Sequence, residues 1–311
     1  MSGRAIAYAA LLAALVVAPL PPLSLYPILV MKILCFALFA CAFNLLVGYV
    51  GLLSFGHAMF FGGAAYVAGH AMKIWSFPPL LGIALGGLCA AALGFVVGSL
   101  AIRRAGIYFA MITLALAQMT YFFFLQAPFT GGEDGLQGIP RGSLLGFELS
   151  EDLNLYYVVL AICASGFALS HRIIHSPFGH ALRAIRENEV RAISLGYDVA
   201  RLKLLAFVLS AALAGIAGAT KALVFRFATL TDVDWLTSGE VILMTLVGGM
   251  GSAFGPVVGA ALIVSLQNEL ADKAGALVTV IMGAMFCGCV LAFRRGIVGE
   301  ISAAYRRKVG R

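Results

Sequence analysis

The chain has 311 residues, of which 62% are hydrophobic and only 11% charged, with mean hydropathy +1.00. An ordinary soluble domain carries about 25% charged residues, so a soluble globular fold is excluded. Runs such as Ile28 to Val47 and Leu204 to Val224 are apolar on every face, which excludes a transmembrane β-barrel and gives the fold class as an all-α, polytopic integral membrane helical bundle. The net charge of +7 is not a nucleic-acid signal, because the basic residues collect in two segments that flank apolar runs, the distribution that sets membrane topology.

Broken at proline, glycine and charge clusters, the sequence predicts about ten apolar segments. They lie at roughly 5–20, 27–47, 54–72, 79–101, 105–127, 153–170, 204–225, 238–250, 255–268 and 275–293. A helix needs roughly 20 apolar residues to cross about 30 Å of hydrocarbon. The segments at 238–250 and 255–268 are short for that, so either reads as a broken or re-entrant element as well as a span. This gives about eight to ten spans in a single transmembrane domain over 1–311.

The first segment, with Arg4 ahead of an apolar run to Leu20, also has features of a cleavable signal peptide; Pro19, Pro21 and Pro22 make a poor cleavage site, and it reads as a retained span. With the N terminus in the cytoplasm, alternation puts inside Arg4, Arg103, Arg104, the six basic residues from Arg172 to Lys203 and the six from Arg294 to Arg311, 15 of the 21. Both termini are therefore expected in the cytoplasm, with an external loop at 128–152 and a cytoplasmic loop at 171–203. Lys32 and Lys221 fall near the outer ends of their segments and are expected to snorkel to the headgroups. All six cysteines (Cys35, Cys41, Cys89, Cys163, Cys287 and Cys289) lie in apolar stretches and read as small apolar residues rather than a disulfide framework.

The stretch LVGYVGLLSFGHAMFFGGAAY, from Leu46 to Tyr66, carries glycines at 48, 51, 56, 62 and 63. They weaken a lone helix but let backbones approach closely and let a helix break inside the membrane. Its polar groups Asn44, Ser54 and His57 either face a watery path or bond neighbouring backbone. A second copy, LVGGMGSAFGPVVGAAL, runs from Leu246 to Leu262: Leu46, Val47, Gly48 and Gly51 match Leu246, Val247, Gly248 and Gly251, and a one-residue gap aligns Phe55 and Gly56 with Phe254 and Gly255. Interrupted segments in matching positions point to a translocation path. The candidate pathway residues are thus Asn44, Ser54, His57, Gly48, Gly51, Gly248 and Gly251. Gly251, Gly255 and Gly259 also form a G-x-x-x-G ladder, a helix-packing surface that needs no substrate.

The cytoplasmic segment HSPFGHALRAIRENEVRAISLGYDVARLK, from His175 to Lys203, has a helix start at Ser176 and Pro177 and a stop at Gly196. Phe178, Leu182, Ile185 and Ala192 make an apolar stripe on a charged helix. That is a docking helix, or a membrane-surface helix held by Arg183, Arg186 and Arg191 against anionic lipid. His171 and His175 are spaced i, i+4 with His180 following, but no carboxylate or cysteine within that cluster completes a metal site. No P-loop, H-E-x-x-H or G-x-S-x-G is present, so no catalytic residue is assigned and any ATP is expected to be hydrolysed by a partner.

At this point the sequence resembles the membrane permease of branched-chain amino acid ATP-binding cassette importers, of the LivM type. The resemblance is carried by NLLVGYVGLLSFGHAMFFGGAAY, by FTGGEDGLQGIP at 129–140, by SPFGHALRAIRENEVRAISLGYDV, by LVGGMGSAFGPVVGAAL and by FRRGIVG at 293–299. It implies one half of a pore in a bacterial inner membrane, paired with a second homologous permease and two cytoplasmic ATP-binding subunits, and fed by a periplasmic substrate-binding protein. No cofactor is implied in this chain, since ATP and Mg are used by the ATPase subunits. Membrane lipid is the remaining partner, and no nucleic acid is expected.

The same resemblance implies a coupling loop around Arg183 to Gly196, with Arg183, Arg186, Glu187, Glu189, Ala192 and Gly196 as candidates. Importers often show Glu-Ala-Ala followed by Gly in that loop, and here Glu189, Val190 and Arg191 precede Ala192 and Gly196. Glu133 and Asp134 are candidates to touch the binding protein. The expected function is import of branched-chain, hydrophobic amino acids. Urea, amides or aromatic acids are alternative cargoes of the same importer class, and an ion-coupled secondary transporter or a metal enzyme at His171, His175 and His180 are the alternative classes.

Overall fold

The computed structural model describes residues 26–144 and 147–274 and, beyond them, 280–281, 283–284, 287–288 and 296–300. The predicted segment at 5–20 with Arg4, most of the one at 275–293, Cys289, and the basic residues from Arg294 to Arg311 lie outside the described residues. The described helices are α1 (Pro27–Tyr49), α2 (His57–Lys73), α3 (Pro79–Ala101), α4 (Ile107–Gln126), α5 (Asp152–His175), α6 (Pro177–Glu187), α7 (Glu189–Ser194), α8 (Val199–Phe225), α9 (Trp235–Gly248) and α10 (Gly255–Ala274). Among the described residues, α1, α3, α4, α5 and α8 are long and apolar enough to cross a membrane. The α9 helix, 14 residues long, reaches only about 21 Å, which agrees with its reading as a broken element.

Proline fixes several helix starts, where its missing N–H costs nothing: Pro27, Pro79 and Pro177 each occupy the first helical turn. The predicted docking helix is divided. Asn188 leaves the helical region at φ −158°, ψ 101°, ending α6, and its side chain then accepts the Arg191 N–H at 3.0 Å to start α7. The stop at Gly196 is made with φ +87°.

Helices α1 and α8 form the centre, and α2 packs on both. Phe39 of α1 stacks on Phe61 of α2 at 4.5 Å. On the other side of α2, a Cβ placed on Gly218 of α8 would lie 1.8 Å from the Phe61 carbonyl oxygen, so the two backbones touch where a side chain is absent. Helices α3 and α4 are peripheral and present Leu88, Phe95, Met119, Phe122 and Phe123 outward, as a lipid-facing surface requires.

Two ends follow from the helix directions. One carries the α3–α4 turn with Arg103 and Arg104, and the pair α6 and α7. At the opposite end, the loop after α4 contains β1 (Leu136–Gln137), which pairs antiparallel with β4 (Phe227–Ala228) just beyond α8, and a hairpin of β2 (Ser143–Leu144) and β3 (Phe147–Glu148). Arg141 fastens this loop, donating to Asp152 Oδ1 at 2.9 Å and to the Val224 carbonyl at 3.0 Å.

The expectation that Lys221 snorkels is corrected by this end of the structure. Lys221 is 8% exposed and forms an ion pair with Asp232, itself 5% exposed. The chain beyond α8 folds back so that the turn Leu230–Asp232 lies against Gly62 of α2. The Asp232 carboxylate also accepts from the Thr229 hydroxyl at 3.2 Å. The carboxylate is therefore delivered to the lysine inside the bundle, and the ammonium has no need to reach the headgroups.

Two predictions follow from the packing. Removing one partner of a buried ion pair leaves an uncompensated charge, so Asp232→Asn is expected to destabilise the protein by about 3–5 kcal/mol, while Lys221→Met combined with Asp232→Leu recovers most of that loss. Gly218→Ala is expected to cost about 1–3 kcal/mol through overpacking. Gly239→Ala, in α9 where an added Cβ meets nothing within 4 Å, is expected to be neutral or slightly stabilising. Thermal midpoints of the purified protein in one detergent check both.

Candidate functional site

The repeated glycine segments both interrupt helices at the same place. Gly51, after α1, has φ +83°, and its sequence match Gly251, after α9, has φ +74°. The left-handed backbone, accessible to glycine without a Cβ penalty, stops each helix. The chain restarts as α2 at His57 and as α10 at Gly255.

The two interruptions lie against each other. Asn44, one turn before the end of α1 and 2% exposed, accepts the Gly251 N–H at 2.9 Å and donates through Nδ2 to the Ser252 carbonyl at 3.0 Å. The Tyr49 hydroxyl donates to the Gly251 carbonyl at 2.9 Å. The contact needs a bare backbone at Gly48, since a Cβ there would lie 2.8 Å from Gly251 N. Gly296, from the closing FRRGIVG motif, approaches from another side: a Cβ on it would lie 2.3 Å from the Gly249 Cα. Backbone groups released where a helix stops need partners outside it, and here protein groups supply them.

Helix α6 grips this junction. Arg186 donates through Nη1 to the Gly48 carbonyl, and its aliphatic stem lies over Gly51. Arg183 places its guanidinium 5.2 Å from the centre of the Tyr49 ring and donates to the Ile174 carbonyl at 3.2 Å. The predicted stripe points the same way, with Leu182, Ile185 and Ala192 at 3% exposure or less.

The structure thus joins two groups of residues that the sequence suggests separately. Asn44, Gly48, Gly51 and Gly251 meet Arg183 and Arg186 in one junction, and Gly248 ends α9 beside it. Ser54 and His57 stand apart. Ser54 accepts the Gly56 N–H at 3.3 Å. His57 is fully buried among Phe43, Phe60 and Phe207, with its Nε2 2.8 Å from the Ser210 hydroxyl, which donates to the Ala42 carbonyl at 2.5 Å. Because Ser210 spends its proton on that carbonyl, His57 donates through Nε2. Its Nδ1 has no partner among the described residues.

The six coupling candidates divide by direction. Arg183 and Arg186 reach the junction with their guanidinium groups, Arg186 staying largely exposed, and Ala192 is buried on the inner face of α7. Glu189 accepts from Lys203 Nζ at 2.7 Å, tying α7 to the second turn of α8. Glu187 and Gly196 are exposed. Around them stand apolar side chains that the stripe argument passes over: Val190, Ile193 and Leu195, at 75%, 58% and 69% exposure. Their signal in the sequence is an apolar residue off the stripe in a charged segment. Tyr49 and Ser252 are likewise missed, although a hydroxyl-bearing side chain beside each glycine break is visible in the sequence.

Glu133 and Asp134 are exposed in the loop at the opposite end, in a one-turn 3-10 helix. His171 and His175 stack at 4.1 Å. Among the described residues no group of three or more metal-ligating side chains assembles.

Residues 25–290 match the family model described as branched-chain amino acid transport system / permease component. Among curated proteins, the chain is 30% identical over 258 residues to the high-affinity branched-chain amino acid transport system permease protein LivM of Salmonella typhimurium and to that of Escherichia coli, covering 74% of this chain and 60% of each relative. It is 28% identical over 243 residues to a probable branched-chain amino acid transport permease protein LivM of Methanocaldococcus jannaschii, covering 71% of this chain and 69% of the relative. The chain thus spans about three fifths of the length of the first two relatives. No solved structure matches it. With the apolar helices and the paired glycine interruptions, the family match makes this an integral membrane protein that belongs to the permease components of branched-chain amino acid transport systems.

Proposed function

We propose that the chain is the permease subunit of an ATP-driven importer of branched-chain, hydrophobic amino acids in a bacterial inner membrane, working with a second, homologous permease, two cytoplasmic ATPase subunits and a periplasmic binding protein. The observation that supports this reading is the grip of Arg186 on the Gly48 carbonyl, because it connects a surface helix pair directly to both helix interruptions. The end with α6 and α7 is then cytoplasmic, in keeping with the basic residues gathered there, and both termini lie on that side. Glu133 and Asp134, at the external end, are candidates to meet the binding protein.

In this mechanism the chain changes no covalent bond, and ATP and Mg are handled by the ATPase subunits. The exposed Val190, Ile193 and Leu195, with Glu187 and Gly196, form the surface that enters the ATPase. Arg183 and Arg186 form the opposite face of the same device and carry its movement to the interruptions at Gly51 and Gly251. Asn44, Gly48 and Gly248 act with them as a hinge that alternates access to the path, and Ser54 and His57 are part of the fixed wall beside it. The Glu189–Lys203 contact transmits the same movement to α8.

A mild-detergent pull-down of the tagged chain from its native membrane tests the assembly. Two ATPases and a second permease are expected, and a chain that is stable and transports alone overturns the reading. Val190→Asp with Ile193→Asp is expected to remove the ATPases from that pull-down. Arg186→Ala, and separately replacement of Glu189 and Gly196, are expected to keep them while uncoupling ATP hydrolysis from uptake. Loss of one charge-assisted hydrogen bond at Arg186 corresponds to about a tenfold or larger fall in uptake per ATP hydrolysed.

A further inference from the structure

Helices α5 and α10 both pack on α1, and between them lies a cavity of about 680 Å³. Leu34, Leu38 and Cys41 of α1 form its floor, Leu160 and Cys163 of α5 one wall, and Val257 of α10 the other. The floor residues are at most 8% exposed. Ala168 and Leu169, which line the same cavity from α5, are exposed, Leu169 at 49%. Both stand within a spanning helix, so the cavity opens sideways, toward the membrane. From Leu160 to Arg172 it follows α5 for about 18 Å, close to the ~15 Å of hydrocarbon in one leaflet of a bilayer.

Charge is confined to one end of this cavity. His171 and Arg172, near the last turn of α5, line the end next to α6. Among the described residues that line the cavity none is acidic. His171 is held at that level by stacking on His175 at 4.1 Å, and the planar fork of Arg172 has the geometry that binds phosphate. An apolar slot one leaflet long, with a cation at its interfacial end, is the complement of an acyl chain that carries an anionic head. Basic pockets between spanning helices hold such headgroups.

We propose that the cavity is a binding site for an anionic phospholipid, one acyl chain lying between α5 and α10 over Leu34 and Leu38, and the phosphate held by Arg172 with His171 beside it. Cys41, Phe167 and His171 also line the small void that reaches Asn44, so the bound chain packs against residues that support the junction of the two helix interruptions. The inference needs only that α1 and α5 span a membrane, and it is independent of the cargo.

The full chain, purified in mild detergent with the subunits that accompany it, is illuminated with a phosphatidylglycerol that carries a diazirine on one acyl chain, and the label is located by peptide mass spectrometry. It is expected to concentrate on 34–41 and 160–168 rather than on the outward faces of α3 and α4. Unlabelled phosphatidylglycerol is expected to displace it about tenfold or more better than phosphatidylcholine, the equivalent of one charged hydrogen bond. Glycerol phosphate, a head without a chain, is expected not to displace it. Arg172→Gln, at an exposed position, is expected to remove the preference for phosphatidylglycerol, and Arg172→Lys to retain part of it. Ala164→Phe, which fills the cavity and leaves the cation in place, is expected to remove the label.

Even labelling of α3, α4 and the cavity, or equal displacement by the two lipids, overturns the inference in favour of bulk lipid alone. Displacement by glycerol phosphate overturns it in favour of a plain anion site. Labelling unchanged in both Arg172→Gln and Ala164→Phe overturns it as well. So does absence of label from both cavity segments in the wild-type protein, which would give the cavity to protein, either this chain's own residues before Tyr26 or a partner subunit.

Discussion

A helix that stops leaves backbone groups without partners in the helix, and at the two glycine interruptions side chains of the protein supply them. The interruptions after α1 and α9 meet this requirement through side chains of α1 and α6. Asn44 bonds one donor and one acceptor of the second interruption, Tyr49 bonds a further acceptor, and Arg186 takes the Gly48 carbonyl from the first. The second break is completed by side chains of α1, and the first by α6. A surface helix is thereby built into the backbone hydrogen bonding of the bundle, so a displacement of α6 cannot leave the interruptions unchanged.

The long helix α8 extends the same connection through the molecule. At one end Lys203, 7% exposed, holds Glu189 of α7. At the other, Arg141 holds the Val224 carbonyl, and Lys221 holds Asp232 in the turn that leads to α9. Over its 27 residues, about 40 Å, it touches α2 backbone to backbone at Gly218. Contacts this close leave no room for the two helices to slide without repacking.

Charges at membrane depth fall into two kinds by geometry. Lys221 and Asp232 satisfy one another inside the protein, a structural use whose value lies in fixing the return of the chain after α8. Glu240 instead accepts a hydrogen bond from Gln267 Nε2 at 3.1 Å, between α9 and α10. The same residue types therefore do different work according to whether the fold brings them into contact, a distinction invisible to a hydropathy profile.

The spans at 79–101 and 27–47, the docking helix start at Ser176 and Pro177, and the stop at Gly196 were legible because each rests on local physics: apolar length, a proline that needs no N–H, a glycine that accepts a left-handed backbone. The matched glycines at 51 and 251 were legible for the same reason, since positive φ is a property of one residue. What Asn44, Arg186 and Lys221 bond to was not, because their partners lie 207, 138 and 11 residues away and no periodicity encodes a long-range pairing. The sequence by itself determined the membrane, the helices and the places where they break. The tertiary structure alone decided that the two breaks share one set of hydrogen bonds, that the arginines of the docking helix turn inward to complete it, and which buried charges are matched, because a desolvated polar group is bound to whatever folding places beside it.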